Sequence, residues 1–231
     1  FKMVRLYSPF TVAVFFYGRR LHHTDRTSMF YKTDEPHGLP HDPLKSCVVP
    51  RPIGWISSLA ADGTVNLAPF SFFNLLCSEP PMVMFAANGK HPHGHKDSIV
   101  NVEATGEFVC SMATWDLRQH VKETSAPVLP DTNEFELAGL ETEPSELVKP
   151  PRVKASPIHI ECRYHQTVDL PCDIEDGRNT ICIGHVVGVH IRDEALTGGL
   201  IDTARIKPLS RLGYQEFTIA EKVFAIPFLK K

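Results

Sequence analysis

The 231 residues are 42% hydrophobic and 22% charged, an ordinary globular balance with enough apolar material for a core that needs no metal or disulfide to hold it. A formal net charge of −3, without a concentrated basic face, excludes nucleic acid as the expected partner. No run of about 18 apolar residues occurs, so no membrane span is expected.

Residues 1–28 differ from the rest. They carry Lys2, Arg5, Arg19, Arg20 and Arg26 against one acid, Asp25, around a short apolar run from Phe10 to Tyr17. A basic, acid-poor segment of this kind is either a transit-like peptide, which would make the protein mitochondrial, or an extension upstream of a more usual start at Met29. The second reading is preferred, with the folded domain at 29–231. Six cysteines (47, 77, 110, 162, 172 and 182) form no CxxC pair, and several sit in apolar runs. They read as buried thiols in a reducing compartment, so the cytoplasm is the expected location.

Nineteen prolines cut the chain into short elements, which argues against a helical bundle. A loop at Glu35–Pro43 precedes a strand at Ile53–Leu59. Asp62-Gly63 is a hairpin signal, with Val65–Pro69 as the return strand. Met82–Ala87 and Phe108–Met112 read as further strands. A helix is expected at Ser98–Thr105, ended by Gly106 at C′. A second is expected at Trp115–Glu123, capped by Thr114 or Asp116. Residues 126–157, rich in proline and acids, read as a long surface excursion. In Ile158–Val168, Ile158, Ile160, Cys162 and Tyr164 alternate with His159, Glu161, Arg163 and His165, the period-two pattern of a half-buried antiparallel strand. Ile181–Ile191 is a long apolar strand in which Gly184 and Gly188 mark a bulge or sharp coiling. The sum is a mainly β chain, a barrel of short strands with accessory helices.

Three segments carry chemistry. In Arg51-Pro52-Ile53-Gly54-Trp55-Ile56-Ser57-Ser58 a cation precedes a strand ending in two hydroxyls, a set that can hold a phosphate; an exposed arginine beside a polar strand end explains it as well. In Asn66-Leu67-Ala68-Pro69-Phe70-Ser71, Pro69 removes a ladder donor, so regular pairing ends nearby and free N–H groups can meet the polar edge of a heterocycle. His95-Lys96-Asp97-Ser98 opens a helix, where unpaired N–H groups and a cation suit an anion, or where Asp97 or Ser98 is simply the N-cap. The alternating His91, His93 and His95 suit a transition metal, but no cysteine or carboxylate cluster adjoins them, so they are read as a surface loop and no metal is expected. No GxSxG, HExxH, P-loop or GxGxxG arrangement supports a hydrolase, metalloprotease or nucleotide-fold reading.

Taken in order, these segments resemble the flavin reductase-like, FMN-binding split-barrel proteins, a family that includes flavoredoxin and the reductase components of flavin-dependent monooxygenases. Pro80-Pro81-Met82-Val83, Thr105-Gly106-Glu107-Phe108, Thr114-Trp115-Asp116-Leu117-Arg118, Glu134-Phe135-Glu136-Leu137-Ala138-Gly139-Leu140 and Pro208-Leu209-Ser210-Arg211-Leu212-Gly213 extend the resemblance over 29–217. It implies a Greek-key FMN-binding split barrel, and a homodimer with flavin near the interface. FMN would be held non-covalently, with FAD as the alternative. It would take a hydride from NADH or NADPH and pass electrons to a flavin-dependent monooxygenase or other acceptor. No catalytic side chain is implied, because flavin N5 carries the chemistry. Carried onto this sequence, Arg51, Ser57 and Ser58, with Trp55 in the same motif, would serve the phosphate and ribityl chain. Backbone near Asn66, Ala68 and Ser71 would meet the ring, and Lys96, Asp97 and Ser98 would complete the phosphate pocket. Arg178-Asn179-Thr180 stands where many relatives carry a histidine, so no histidine contact to nicotinamide carries over. The alternative is an FMN-holding electron carrier that nicotinamide does not reduce.

Overall fold

A computed structural model describes residues 28–227. They fall into two compact units divided after Pro40. In the first, Tyr31 meets His37 edge to face and Lys32 pairs with Glu35. Residues 1–27, and with them the transit-like segment, lie outside the described residues.

In the second unit, α1 (Leu44–Cys47) and β1 (Arg51–Pro52) lead into β2 (Gly54–Leu59). Asp62 then accepts the Thr64 amide at 2.9 Å and Gly63 takes φ +92°, so the chain reverses into β3 (Val65–Phe70) as the Asp-Gly signal requires. β4 (Phe73–Ser78) and β5 (Pro81–Ala87) form the next hairpin. After α2 (Asp97–Thr105), closed by Gly106 at φ +77°, come β6 (Glu107–Met112), α3 (Arg118–Glu123) and α4 (Glu134–Leu137). A small pair, β7 (Thr142–Glu143) with β8 (Arg152–Val153), precedes the long strands β9 (Ile158–Leu170) and β10 (Asn179–Ile191). A second small pair, β11 (Leu196–Thr197) with β12 (Leu200–Ile201), α5 (Thr203–Ile206), β13 (Leu209–Arg211) and β14 (Phe217–Ile219) follow.

The main sheet runs β3-β2-β6-β9-β10-β5-β4, antiparallel throughout, and β1-β13-β14 forms a second sheet. The architecture is a mainly β split barrel with accessory helices. Both faces of β2 and β3 are covered, so buried side chains follow one another along them instead of alternating with exposed ones. Ile56, Ala68 and Phe70 join Phe85, Phe108 and the α2 residues Ile99 and Val102 in one core. Trp55 and Leu67 face the opposite core, with Val121, Phe135, Val153 and Leu209. β10 shifts register on β9 at Ile183/Gly184 and Val186/Gly188, the bulges its glycines foretell. At Gly184 a Cβ would lie 2.4 Å from the Phe108 ring, so only glycine fits.

Five expectations change. Of the six cysteines expected as buried thiols, Cys110, Cys162 and Cys182 are buried, but Cys47 and Cys77 are exposed and Cys172 is half-buried. The second helix begins at Arg118, not Trp115. Thr114 bridges Pro208 and the Trp115 amide donates to the Lys207 carbonyl at 3.0 Å, so this stretch pairs with the β13 approach, and neither Thr114 nor Asp116 caps the helix. Residues 126–157 are not merely a surface excursion, because they plant Phe135, Val148 and Val153 in the core. β9 is not half-exposed along its length: His159 and Glu161 are buried, and Glu161 accepts the amides of Glu146 and Leu147 at 2.8 and 2.7 Å. The 142–157 segment covers that face. Finally, β1, β4, β7, β8 and β11 to β14 add to the strands expected from the sequence.

Candidate functional site

Of the expected site residues, Ser58, Asn66 and Ser98 come together. Ser58 and Asn66 are opposite each other in the β2–β3 pair. The Ser98 hydroxyl donates to Asn66 Oδ1 at 2.7 Å, which ties the first turn of α2 to β3. Ser98 therefore faces the strand, and the N-cap position falls to Lys96, which makes no side-chain capping bond. Asn101 Nδ2 donates to the Ser58 hydroxyl at 3.3 Å. Asn66 Nδ2 donates to Glu134 Oε1 at 2.7 Å, and the Leu67 amide donates to Glu134 Oε2 at 2.9 Å. Burial pushes the Glu134 carboxyl above its ordinary value, while the Leu67 amide and the Lys96 charge pull the other way. All five side chains of this network are buried.

Lys96 and Asp97 are half-buried at the rim of a small recess shared with His91, His95, Pro127 and Glu134. Burial and then the Lys96 charge hold His91 below the ordinary imidazole value. Among the described residues no group of three or more His, Cys, Asp or Glu is arranged to hold a metal.

The remaining expected residues lie elsewhere. Arg51 is buried, donating to the carbonyls of Lys45, Val48 (2.7 Å) and Leu212 (2.8 Å), so it knits β1 to its surroundings and turns no free fork toward a ligand. The Ser57 hydroxyl donates to the Pro151 carbonyl at 2.5 Å, on the opposite face of β2 from Ser58. Trp55 is fully buried and donates from Nε1 to the Thr124 hydroxyl at 2.9 Å. Ala68 is buried in the core.

Ser71 and Pro69 line a different feature, a cleft of about 500 Å³. Its floor is apolar, with Ile53, Val121 and Leu209, and Arg118, Lys122 and Arg211 stand around it. Arg118 lies 4.0 Å over the Trp115 ring and Arg211 lies 4.7 Å over Phe217. One segment borders both features: Val121, Lys122 and Ser125 line the cleft, and Ala126, Pro127 and Val128 line the recess at Lys96. β3 is an edge strand of the main sheet, and Pro69 sits on it without an N–H to offer.

Sequence reasoning missed Asn101, Glu134 and the three cations. The i, i+4 spacing of Arg118 and Lys122 on α3 was a readable signal that they share a face. Nothing local marks Glu134, whose partners are far away in sequence, or the pairing of Arg211 with Arg51 across β1 and β13.

An uncharacterised protein of Aquifex aeolicus is 36% identical over 167 residues, covering 72% of this chain and 82% of its own. The crystal structure of nitrilotriacetate monooxygenase component B from Bacillus cereus is similar with a TM-score of 0.77 and 26% identity, over 87% of this chain and 100% of that one. Flavoredoxin of Desulfovibrio vulgaris (Miyazaki F) shares the fold at 20% identity and a TM-score of 0.67, over 78% and 92% of the two chains. Residues 46–209 match the flavin reductase like domain, and the chain belongs to that family.

Proposed function

We propose that this chain holds FMN along the open edge of β3 and mediates its reduction by NADH or NADPH. The observation that carries the reading is the placing of two complementary features beside one strand. The recess at Lys96 offers a cation and the start of α2, which suit a phosphate. The cleft at Pro69 and Ser71 offers an apolar floor and a volume of about 500 Å³, which suit a planar ring. The residues present fit the group.

When bound, FMN would supply the acceptor N5 for a hydride from the nicotinamide. The chain's own part is positional. Lys96 would neutralise the phosphate, and Ser71 and the Pro69 backbone would meet the polar edge of the ring. Ser58, Asn66, Ser98 and Glu134 would keep β3 and α2 in register, while Arg51, Trp55 and Ser57 hold β1 and β2 in place behind them. Asp97 sits beside the phosphate position, and Ala68 lets the strand pack closely. No general acid or base is needed for this half-reaction.

Two further parts of the reading concern assembly. A homodimer is supported by β4, the other edge of the main sheet, where Leu75 and Leu76 are 57% and 50% exposed. Exposed apolar side chains on an unpaired strand favour a second copy. Sedimentation should give twice 25.8 kDa, and Leu75→Lys with Leu76→Lys should give the monomer. The likeness to a monooxygenase component B supports an oxygenase as electron acceptor.

Anaerobic mixing with NADH or NADPH tests the function. Bleaching of bound FMN within seconds is expected. Bleaching by dithionite alone would replace this reading with that of an electron carrier, and absence of flavin binding would overturn both.

A further inference from the structure

The cleft carries more positive charge than the ring of a flavin calls for. Arg118, Lys122 and Arg211 stand around it, and among the described residues no Asp or Glu lines it. None of the three takes part in an ion pair among the described residues. Other cations of this chain do have such partners: Arg178 meets Glu103 and Asp169, Lys154 meets Glu141, and Arg152 meets Glu143. The contrast is sharpest at Arg211. Its strand partner across β1–β13 is Arg51, so two guanidinium groups sit on paired positions. Burial, and then the Arg51 charge, hold Arg211 below its ordinary value. Like charges brought together without a counter-charge destabilise the fold, and an incoming anion relieves that repulsion.

The anion has a recognisable shape. Trp115 and Phe217 are 43% and 45% exposed at the same cleft, each already under a guanidinium, so an aromatic ring can stack where a negative group pairs. A single carboxylate would satisfy one cation. Three cations from α3 and β13 match a ligand with several phosphate charges, and a phosphate monoester, with nearly two charges at neutral pH, profits most from an arginine and a lysine four residues apart.

We propose that Arg118, Lys122 and Arg211 are specificity-determining residues that bind the phosphates of the nicotinamide nucleotide and select its 2′-phosphorylated form. The identity of that nucleotide rests on the proposed function; the existence of a polyanion site does not. The cleft would thus hold two ligands edge to edge, the flavin against Pro69 and Ser71 and the nucleotide phosphates against the cations.

Titration calorimetry of the FMN-loaded protein with the redox-inert oxidised nucleotides, NADP⁺ and NAD⁺, tests this, with FMN affinity measured separately. NADP⁺ is expected to bind at least about tenfold more tightly than NAD⁺, since a charge-assisted contact of about 1.5 kcal/mol or more corresponds to that factor. Lys122→Ala and Arg118→Ala should each lower NADP⁺ affinity about tenfold, change NAD⁺ less, and leave FMN affinity within about twofold; these exposed side chains leave the core intact, and Lys122→Arg should restore the preference. Equal affinities for the two nucleotides, or variants that bind NADP⁺ as the parent does, would overturn the proposal. So would a loss of FMN as large as the loss of NADP⁺, which would assign the cations to the flavin. Failure of FMN to bind while the unloaded chain still prefers NADP⁺ would overturn the flavin reading and leave this one standing.

Discussion

Asn66 and Glu134, one on the edge strand and one on a short helix 68 residues later, share a hydrogen bond of 2.7 Å in which both side chains are buried. The same carboxylate takes the Leu67 amide, and the same Asn66 takes the Ser98 hydroxyl through its oxygen. The amide orientation of Asn66 is therefore dictated from both ends, and α2, β3 and α4 are joined through one side chain.

Glu134→Ala should break that junction. It strands two buried N–H donors, at about 1–3 kcal/mol for each buried group left unpaired. Glu134→Gln keeps an acceptor for one of them and should cost less. Denaturant midpoints of the two variants give the comparison. Equal stability of Ala and Gln would show that the carboxylate does not hold the junction.

Lys96 and Arg51 are predicted to behave differently, although both are cations near the same strands. Lys96→Ala should weaken FMN about tenfold to a hundredfold, the loss of one charge-assisted contact of about 1.5–3 kcal/mol, and leave riboflavin nearly untouched. Arg51→Ala removes the donors from three backbone carbonyls, so it should lower thermal stability and weaken FMN and riboflavin alike. Titrating both variants with both flavins separates a ligand contact from a structural one.

His159 is expected to make the fold acid-sensitive. Burial pushes its imidazole down to about 4, against the pull of its bond to the Val153 carbonyl. A base whose value is lowered by folding stabilises the native state fully above its ordinary value of 6.5, and that contribution is lost as pH falls toward 4. The full loss is about 3 kcal/mol at most. Urea midpoints at pH 7 and pH 5 should differ for the parent and differ less for His159→Gln. An unchanged difference in the variant would place the acid sensitivity elsewhere.

Gly184→Ala should cost about 1–3 kcal/mol, the range for overpacking a filled core, because its Cβ meets the Phe108 ring at 2.4 Å. Phe108→Leu in the same chain should recover part of the loss. Melting temperatures of the single and double variants measure the coupling, and strict additivity would refute it.

Much of the main sheet could be read from sequence because its strands are apolar runs or period-two alternations punctuated by Asp-Gly and glycine bulges. β4 escaped notice because five of its six side chains are exposed, leaving no alternation to see. β13 and β14, three residues each, are too short for any period. The start of α3 was misplaced because Thr114 looks like a cap locally, while its backbone is claimed by Pro208, 94 residues away. In the site, Ser58, Asn66, Lys96 and Ser98 could be singled out by residue type and by position at strand ends and a helix start. Arg51 shows the limit: a sequence displays a cation but not the three carbonyls that occupy it. Glu134 acquires its meaning only through the distant Asn66 and Leu67, while Arg211 joins its neighbours Tyr214 and Phe217 to a distant strand partner, Arg51.

The two edges of the main sheet are unequal as templates for further strands. On β3, Pro69 has no donor to give and the Leu67 donor is occupied by a carboxylate, so an approaching strand finds no ladder to extend. β4 contains no proline, although its Leu75 amide turns back to the Asn74 side-chain oxygen at 2.9 Å. A sheet that can grow from one margin only must stop after one addition, since the newcomer brings its own blocked margin to the outside. Pairing through β4 would therefore close as a two-fold pair and could not run on into a filament. The bond by which Glu134 takes the Leu67 amide in the candidate flavin site would, in such a pair, also keep the β3 margin closed to a further strand.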